Sequence, residues 1–187
     1  MLIRSPLAAS KGLALWQAVV LAVLGTAVLA LSSKVQVPLY PVPITFQTAV
    51  VLLIGFAYGS RLAVATILLF LGEALLGLPV LALPIAGPAV VFGPTGGYLA
   101  GWIAAAFLCG LAADRGMRGW RLFAVTLAAS AAIYLPGVLW LSGFVGGFGK
   151  AIAVGVVPFL LGDLLKSALA AAAAELGLAR LGTLNRP

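Results

Sequence analysis

The sequence predicts an all-α integral membrane protein with six transmembrane helices, on the strength of three observations. Hydrophobic residues make up 64% of the 187 residues and charged residues only 8%, whereas about a quarter of a soluble domain is charged. Six apolar stretches follow one another along the chain, and a bilayer-spanning helix needs about 20 apolar residues. Basic residues concentrate in alternate connections between these stretches. The whole chain, 1–187, is therefore predicted to be a single membrane domain.

The spans themselves are predicted from the apolar stretches, with an error of a few residues at each end. They lie at about 13–31, 45–58, 62–78, 96–113, 122–141 and 158–178. The second is short. The first has no polar cleavage region after it and is followed by Lys34, so we expect a retained span rather than a signal peptide.

The distribution of Lys and Arg predicts the orientation of the chain, because these residues are in excess on the cytoplasmic side. Eight of the eleven basic residues fall on one side of the predicted spans: Arg4, Lys11, Arg61, Arg115, Arg118, Arg121, Arg180 and Arg186. The other side has only Lys34 and Lys150. Both termini are therefore predicted to be cytoplasmic. The net charge of +7 forms no basic stripe, so nucleic-acid binding is not expected.

The two outer connections at 35–46 and 79–94 are rich in proline, apolar and nearly uncharged. Apolar segments between membrane helices fold back over the protein more readily than they extend into water. We expect them to form a lid that caps an outward-facing ligand cavity. The alternative is that they simply lie among the lipid headgroups.

Asp163 and Lys166 lie one helical turn apart inside the apolar stretch 154–174. Ionisable residues within a membrane segment usually mark a substrate or ion path, and an i,i+3 spacing places both on one helix face. An acceptor beside a donor can bind a neutral group that carries both N–H and C=O. Gly162 leaves room for a ligand to approach. The alternative is a structural ion pair, or a Lys166 side chain that extends to the interface.

The segment 92–98, Phe-Gly-Pro-Thr-Gly-Gly-Tyr, enters the fourth span. Glycines at a helix start expose N–H groups that suit an oxygen acceptor. Thr95 is a candidate cap beside Gly96, and Tyr98 and Phe92 are candidate walls. Close helix packing is an equal alternative, because glycines recur every four residues from Gly93 to Gly101.

Three further features are candidates for binding or packing. Gln47 can donate and accept at once, although a polar residue at a helix start is equally ordinary. Glu73 is an intramembrane carboxylate that needs a partner. Its role is open between a structural hydrogen bond, a protonated group and a path residue. Ala18 and Ala22 would let another helix approach closely, from within the chain or from another protein.

The absence of histidine excludes a histidine-dependent hydrolase and a histidine metal site. No nucleotide-binding loop of the Gly-x-x-x-x-Gly-Lys-Ser/Thr type is present. We therefore expect no enzyme, no metal, no cofactor and no ATP site in this chain, and the energy for uphill transport would come from a partner or an ion gradient. A proton-coupled or facilitative secondary transporter of a small polar metabolite is the alternative function.

Three stretches, at 42–48, 92–98 and 158–166, together with Gly77–Val80, resemble the BioY family along nearly the whole chain. These are the biotin-binding S components of energy-coupling-factor (ECF) transporters. The resemblance implies a loop-capped outer biotin site in a multi-pass protein of the bacterial inner membrane. It also implies a partner module of two ATPases and a coupling membrane protein, on which the face with Ala18 and Ala22 would dock.

Applied to these residues, the resemblance implies that Asp163 accepts from a ureido N–H of biotin and that Lys166 donates to the ureido carbonyl. Tyr40, Phe92 and Tyr98 would supply apolar walls. The partner of the biotin carboxylate stays open, because 79–94 lacks the basic residue that some relatives place there. Its candidates are the amides of Gly96 and Gly97, the side chains of Gln47 and Thr95, and water.

Overall fold

The computed structural model describes residues 13–82 and 87–184, with side chains through residue 177. The elements in chain order are α1 (Leu15–Ser32), β1 (Gln36–Val37), β2 (Ile44–Thr45), α2 (Gln47–Leu75), α3 (Pro88–Val91), α4 (Gly96–Asp114), α5 (Trp120–Val145), α6 (Phe148–Gly155), a 3₁₀ turn (Val157–Phe159) and α7 (Leu160–Leu184). Within the described residues, five helical stretches are long and apolar enough to cross a membrane, the last running from α6 into α7. The predicted helical membrane fold is therefore confirmed.

The second of these stretches, α2, contains both the second and the third predicted spans. Gly59 has a non-helical backbone there, with φ 76° and ψ 170°, a conformation open to glycine because it lacks a Cβ. Before this break the chain approaches the start of α1, since Gln47 contacts Leu29 and Tyr58 contacts Leu21. After the break it runs back toward the end of α1, since Thr66 lies against Gly25 and Pro79 contacts Lys34. The chain therefore reverses at Gly59, and dividing α2 there gives six membrane segments.

The turn at Gly59 is fixed against the end of α4. The backbone N–H and the hydroxyl of Ser60 both donate to Asp114 Oδ2, at 3.0 and 2.6 Å. Gly110 allows this approach, since a Cβ at that position would lie 2.5 Å from Ser60 Cα. Arg61 and Arg115 therefore lie on the same side of the protein, as the basic-residue pattern predicts.

Close packing of α4 on α5 explains the glycines after Gly93. A Cβ at Gly97 would overlap the Pro136 carbonyl oxygen, and one at Gly101 would lie 2.7 Å from Ile133 Cα. Small residues at such positions let two membrane helices approach closely. The packing alternative for these glycines is thus confirmed.

Glu73 and Ala22 were candidates for a functional or partner-binding role, and in the structure both make contacts inside the chain. Glu73 accepts a hydrogen bond from Thr26 Oγ1 at 2.9 Å, so it joins α2 to α1 and does not line the ligand cavity described below. Ala22 is only 7% exposed and faces the rest of the chain, while Ala18 is half-buried. The expectation that Ala22 docks on a partner is therefore wrong for this structure, because its side chain already packs within the protein.

Candidate ligand-binding site

A cavity of about 650 Å³, counting its open mouth, lies at the outer end of the helices. Its wall is formed by the loop around β2, the start of α2, the loop after α2, and facing parts of α4, α5 and α7. Apolar side chains dominate this wall, including Leu99, Trp102, Ile133 and Phe159.

Asp163 brings charge to this apolar wall. It lies in the first turn of α7, where the helix dipole favours a carboxylate. Tyr134 donates its hydroxyl hydrogen to Oδ2 at 2.5 Å, and Lys166 Nζ lies 2.9 Å from Oδ1. The side chains of Lys166 and Asp163 are only 10% and 12% exposed. Each carboxylate oxygen thus has one donor from the protein and retains lone-pair capacity for a ligand.

Lys166 itself does not line the cavity. Its ammonium lies behind Asp163 and supplies the opposite charge that a carboxylate in an apolar setting needs. The i,i+3 pair predicted from the sequence is therefore present, but only its acidic member faces the ligand space. A Cβ at Gly162 would contact nothing within 4 Å, but Gly162 is not among the lining residues, so its expected role in ligand approach stays a prediction.

Tyr134 is the hydrogen-bond partner of Asp163 that sequence reasoning missed. It lies in α5, and Tyr98 of α4 meets its ring edge-on at a centroid distance of 6.5 Å. Tyr98 in turn donates its hydroxyl hydrogen to the Gly155 carbonyl at 2.9 Å. The two tyrosines therefore link α4, α5 and the segment before α7 around Asp163. A tyrosine within a span was the only available signal, and its partner lies 29 residues away.

Among the other predicted residues, Gln47, Thr95 and Tyr98 line the cavity, as Asp163 does. Gln47 Nε2 also donates to the Leu29 carbonyl at 3.4 Å. Thr95 stands at the N-cap of α4 but makes no side-chain cap bond. Its hydroxyl donates to the Val90 carbonyl at 3.4 Å instead, so the expected capping role is wrong.

Gly96 does not line the cavity. Its N–H donates to the Gly93 carbonyl at 3.0 Å, and a Cβ there would lie 3.1 Å from Trp140 Nε1. The glycine therefore serves the turn and the contact with α5. Its amide is not an unused donor for a ligand carboxylate.

Tyr40 and Phe92 also lie off the cavity wall. Tyr40 is 94% exposed and Phe92 is 61% exposed, and neither is among the lining residues. The expectation that Tyr40 and Phe92 form apolar walls is therefore wrong, because the loops turn both side chains outward. Trp102 and Phe159 supply aromatic walls in their place.

The two outer connections cover the cavity as expected. β1 pairs antiparallel with β2, with Gln36 opposite Thr45. Gln36 Nε2 donates to the Ala82 carbonyl at 3.1 Å, and Lys34 Nζ donates to the carbonyls of Pro79 and Leu81 at 3.2 and 3.3 Å. Because residues from both connections line the cavity, these bonds hold its cover together.

The fold and site define a multi-pass helical membrane protein with a loop-covered ligand cavity at its outer end. The sequence profile of the BioY family matches residues 7–182. The chain belongs to the BioY family.

Two curated relatives show the extent of the similarity. The chain is 38% identical over 155 residues to "Probable biotin transporter BioY" of Pyrococcus horikoshii, covering 83% of this chain and 92% of that protein. It is 42% identical over 149 residues to "Biotin transporter BioY" of Thermotoga maritima, covering 78% of this chain and 86% of that protein. Both names describe transporters. They support the expectation that this chain belongs to a family of transport proteins and not to a family of enzymes.

The fold is also similar to a solved structure, described as the crystal structure of the S-component for biotin from an ECF-type ABC transporter. The TM-score is 0.75 at 25% sequence identity, covering 86% of this chain and 90% of that chain. This chain therefore shares the overall backbone fold of that S-component.

Proposed function

We propose that this chain is the biotin-specific S component of an ECF transporter. It binds biotin from outside in the covered cavity and delivers it inward with energy from partner ATPases. The observation that carries the proposal is the Asp163 carboxylate, set in an apolar cavity between the hydroxyl of Tyr134 and the ammonium of Lys166. The names of the relatives and of the similar solved structure support the choice of ligand.

Biotin fits the chemistry of this wall. Its ureido ring carries two N–H donors and one carbonyl, and Asp163 accepts from an N–H with the remaining lone pairs of its oxygens. The bicyclic ring system packs against Trp102 and Phe159, where apolar burial stabilises it. Hydrogen bonds to a charged group are stronger than neutral ones, so Asp163 selects a ligand with N–H groups at this end.

Lys166 acts through Asp163 in this proposal, since it does not reach the wall. Gln47 supplies the donor to the ureido carbonyl in its place. It lines the cavity, and its amide has two N–H groups, of which one is directed at the Leu29 carbonyl. The other is available to a ligand oxygen.

Energy for accumulation comes from a partner module of two ATPases and a coupling membrane protein. The sequence has no phosphate-binding loop of its own, and we propose that the chain needs no cofactor or metal. The plasma membrane is the proposed location. On α1, half-buried Ala18 stays the candidate for close approach by the coupling protein.

Isothermal titration of the detergent-purified chain with biotin tests this function. We expect saturable one-site binding, and no binding of thiamine or riboflavin, which lack a ureido ring joined to an apolar ring and an acidic tail. Absence of biotin binding by the folded protein, judged folded from its helical circular dichroism, would refute the proposal.

A further inference from the structure

Lys34 is a positive charge at the edge of the cavity cover. Its Nζ donates to the carbonyls of Pro79 and Leu81, and Leu81 itself lines the cavity. An ammonium has three N–H donors. Two are therefore used by backbone carbonyls in the described part of the chain, and the third is available to a ligand.

No carboxylate of the described residues neutralises Lys34. The chain has four acidic residues, and each has its own partner: Asp163 with Lys166, Glu175 with Arg118, Asp114 with Ser60 and Glu73 with Thr26. The two carbonyl contacts of Lys34 are neutral. Its charge is therefore not matched by the protein, and an anion that enters the mouth would meet it.

Of the other candidate donors for the carboxylate, Gln47 is assigned above to the ureido carbonyl, and the Thr95 hydroxyl donates to the Val90 carbonyl. The amide of Gly96 is bonded to Gly93, and the connection 79–94 has no basic residue. The remaining outer cations are Lys166, which is paired with Asp163, and Lys150 on α6, which does not line the cavity. Lys34 is likewise not among the lining residues, but it is the outer cation without a carboxylate partner among the described residues that is bonded to a residue of the cavity wall, Leu81.

We propose that Lys34 binds the carboxylate of the ligand at the cavity mouth while it holds the loop after α2 in place. This proposal rests on the proposed function, because it takes biotin as a ligand with an acidic tail. With the ureido ring at Asp163, the aliphatic tail would run toward the cover, where Leu81 and Ala82 line the wall. Ligand binding would then strengthen the closed arrangement of the two loops.

The test compares biotin with biotinamide, which has the same rings and tail but no charge. We expect wild-type protein to bind biotin roughly fivefold more tightly, the magnitude of a partly exposed ion pair, and this preference to decrease with added salt. Lys34→Met should weaken biotin binding and remove the preference, whereas Lys34→Arg should retain it. The preference is the ratio of the affinities for biotin and biotinamide, both measured on the same variant. A general loss of stability would weaken both affinities and leave their ratio unchanged.

Two matched controls separate charge recognition from loop holding. Gln36→Ala removes the other side-chain bond between the loops and should leave the preference unchanged. Lys150→Met removes the other exposed outer cation and should do the same. Persistence of the preference in Lys34→Met, or its absence in wild-type protein, would overturn the role of Lys34 alone. Failure of wild-type protein to bind either compound would overturn the proposed function, and this inference with it.

Discussion

Replacement of Asp163 by asparagine is the most direct test of the site. The change keeps the size of the side chain but removes its charge. Tyr134 and Lys166 each lose a charged acceptor, and a ligand N–H loses one as well. The substitution therefore acts on binding and on folding at once, and the two effects need separate measurements.

The size of each effect follows from the contacts. A hydrogen bond to a charged group contributes about 1.5–3 kcal/mol, which corresponds to a roughly 10- to 150-fold loss of biotin affinity. Lys166, whose side chain is 10% exposed, would be left as an unpaired buried charge. Breaking a buried ion pair by removing one member costs about 3–5 kcal/mol of stability.

A second substitution separates the two quantities. Lys166→Met in the Asp163→Asn background removes the unpaired charge, so we expect the melting temperature to recover while biotin affinity stays low. Titration calorimetry and thermal unfolding in the same detergent measure both. Asp114→Asn is the matched control, because Asp114 binds Ser60 at the opposite end of the protein, and it should bind biotin like wild type. Wild-type affinity in Asp163→Asn would refute the assignment of the site.

Three further predictions test neighbouring features. Tyr134→Phe removes the bond to Asp163 but keeps the ring, so biotin affinity should fall about tenfold by calorimetry; an unchanged affinity would mean that the hydroxyl has no part in binding. Gly97→Ala places a methyl group against Pro136 and should cost about 1–3 kcal/mol of stability, whereas Gly143→Ala, which meets nothing within 4 Å, should unfold at the wild-type temperature. In proteoliposomes, uptake of biotin should require the ATPase module with ATP; gradient-driven uptake by this chain alone would favour a secondary transporter.

Hydropathy was sufficient to predict the membrane segments, because a span depends on local composition, and the orientation predicted from the basic residues stays a prediction. The helix ends follow the apolar stretches closely in α1 and α4. The break at Gly59 was predicted as a loop between two spans, and it proves to be a single non-helical residue within α2. Its sharpness depends on the contact with Gly110, which is a tertiary property.

The site was predictable where a residue's position on a helix decides what it faces. Asp163 and Gln47 occupy the first turns of their helices, and both face the outer cavity. Tyr134 was not predictable, since its role depends on the packing of α5 against α7. The direction of Tyr40 depends on loop conformation, which composition does not determine.

The division of charge around the cavity also orients the ligand. Lys166 neutralises Asp163 from behind the wall, so the part of the cavity at Asp163 offers acceptor capacity without a cation among the described lining residues. A carboxylate placed there would face another carboxylate in an apolar setting, which is strongly unfavourable. We therefore expect a ligand with N–H donors at one end and an acid at the other to bind with its N–H end at Asp163. In that orientation the acid of the ligand would lie away from Asp163, toward the loop whose Leu81 carbonyl accepts from Lys34.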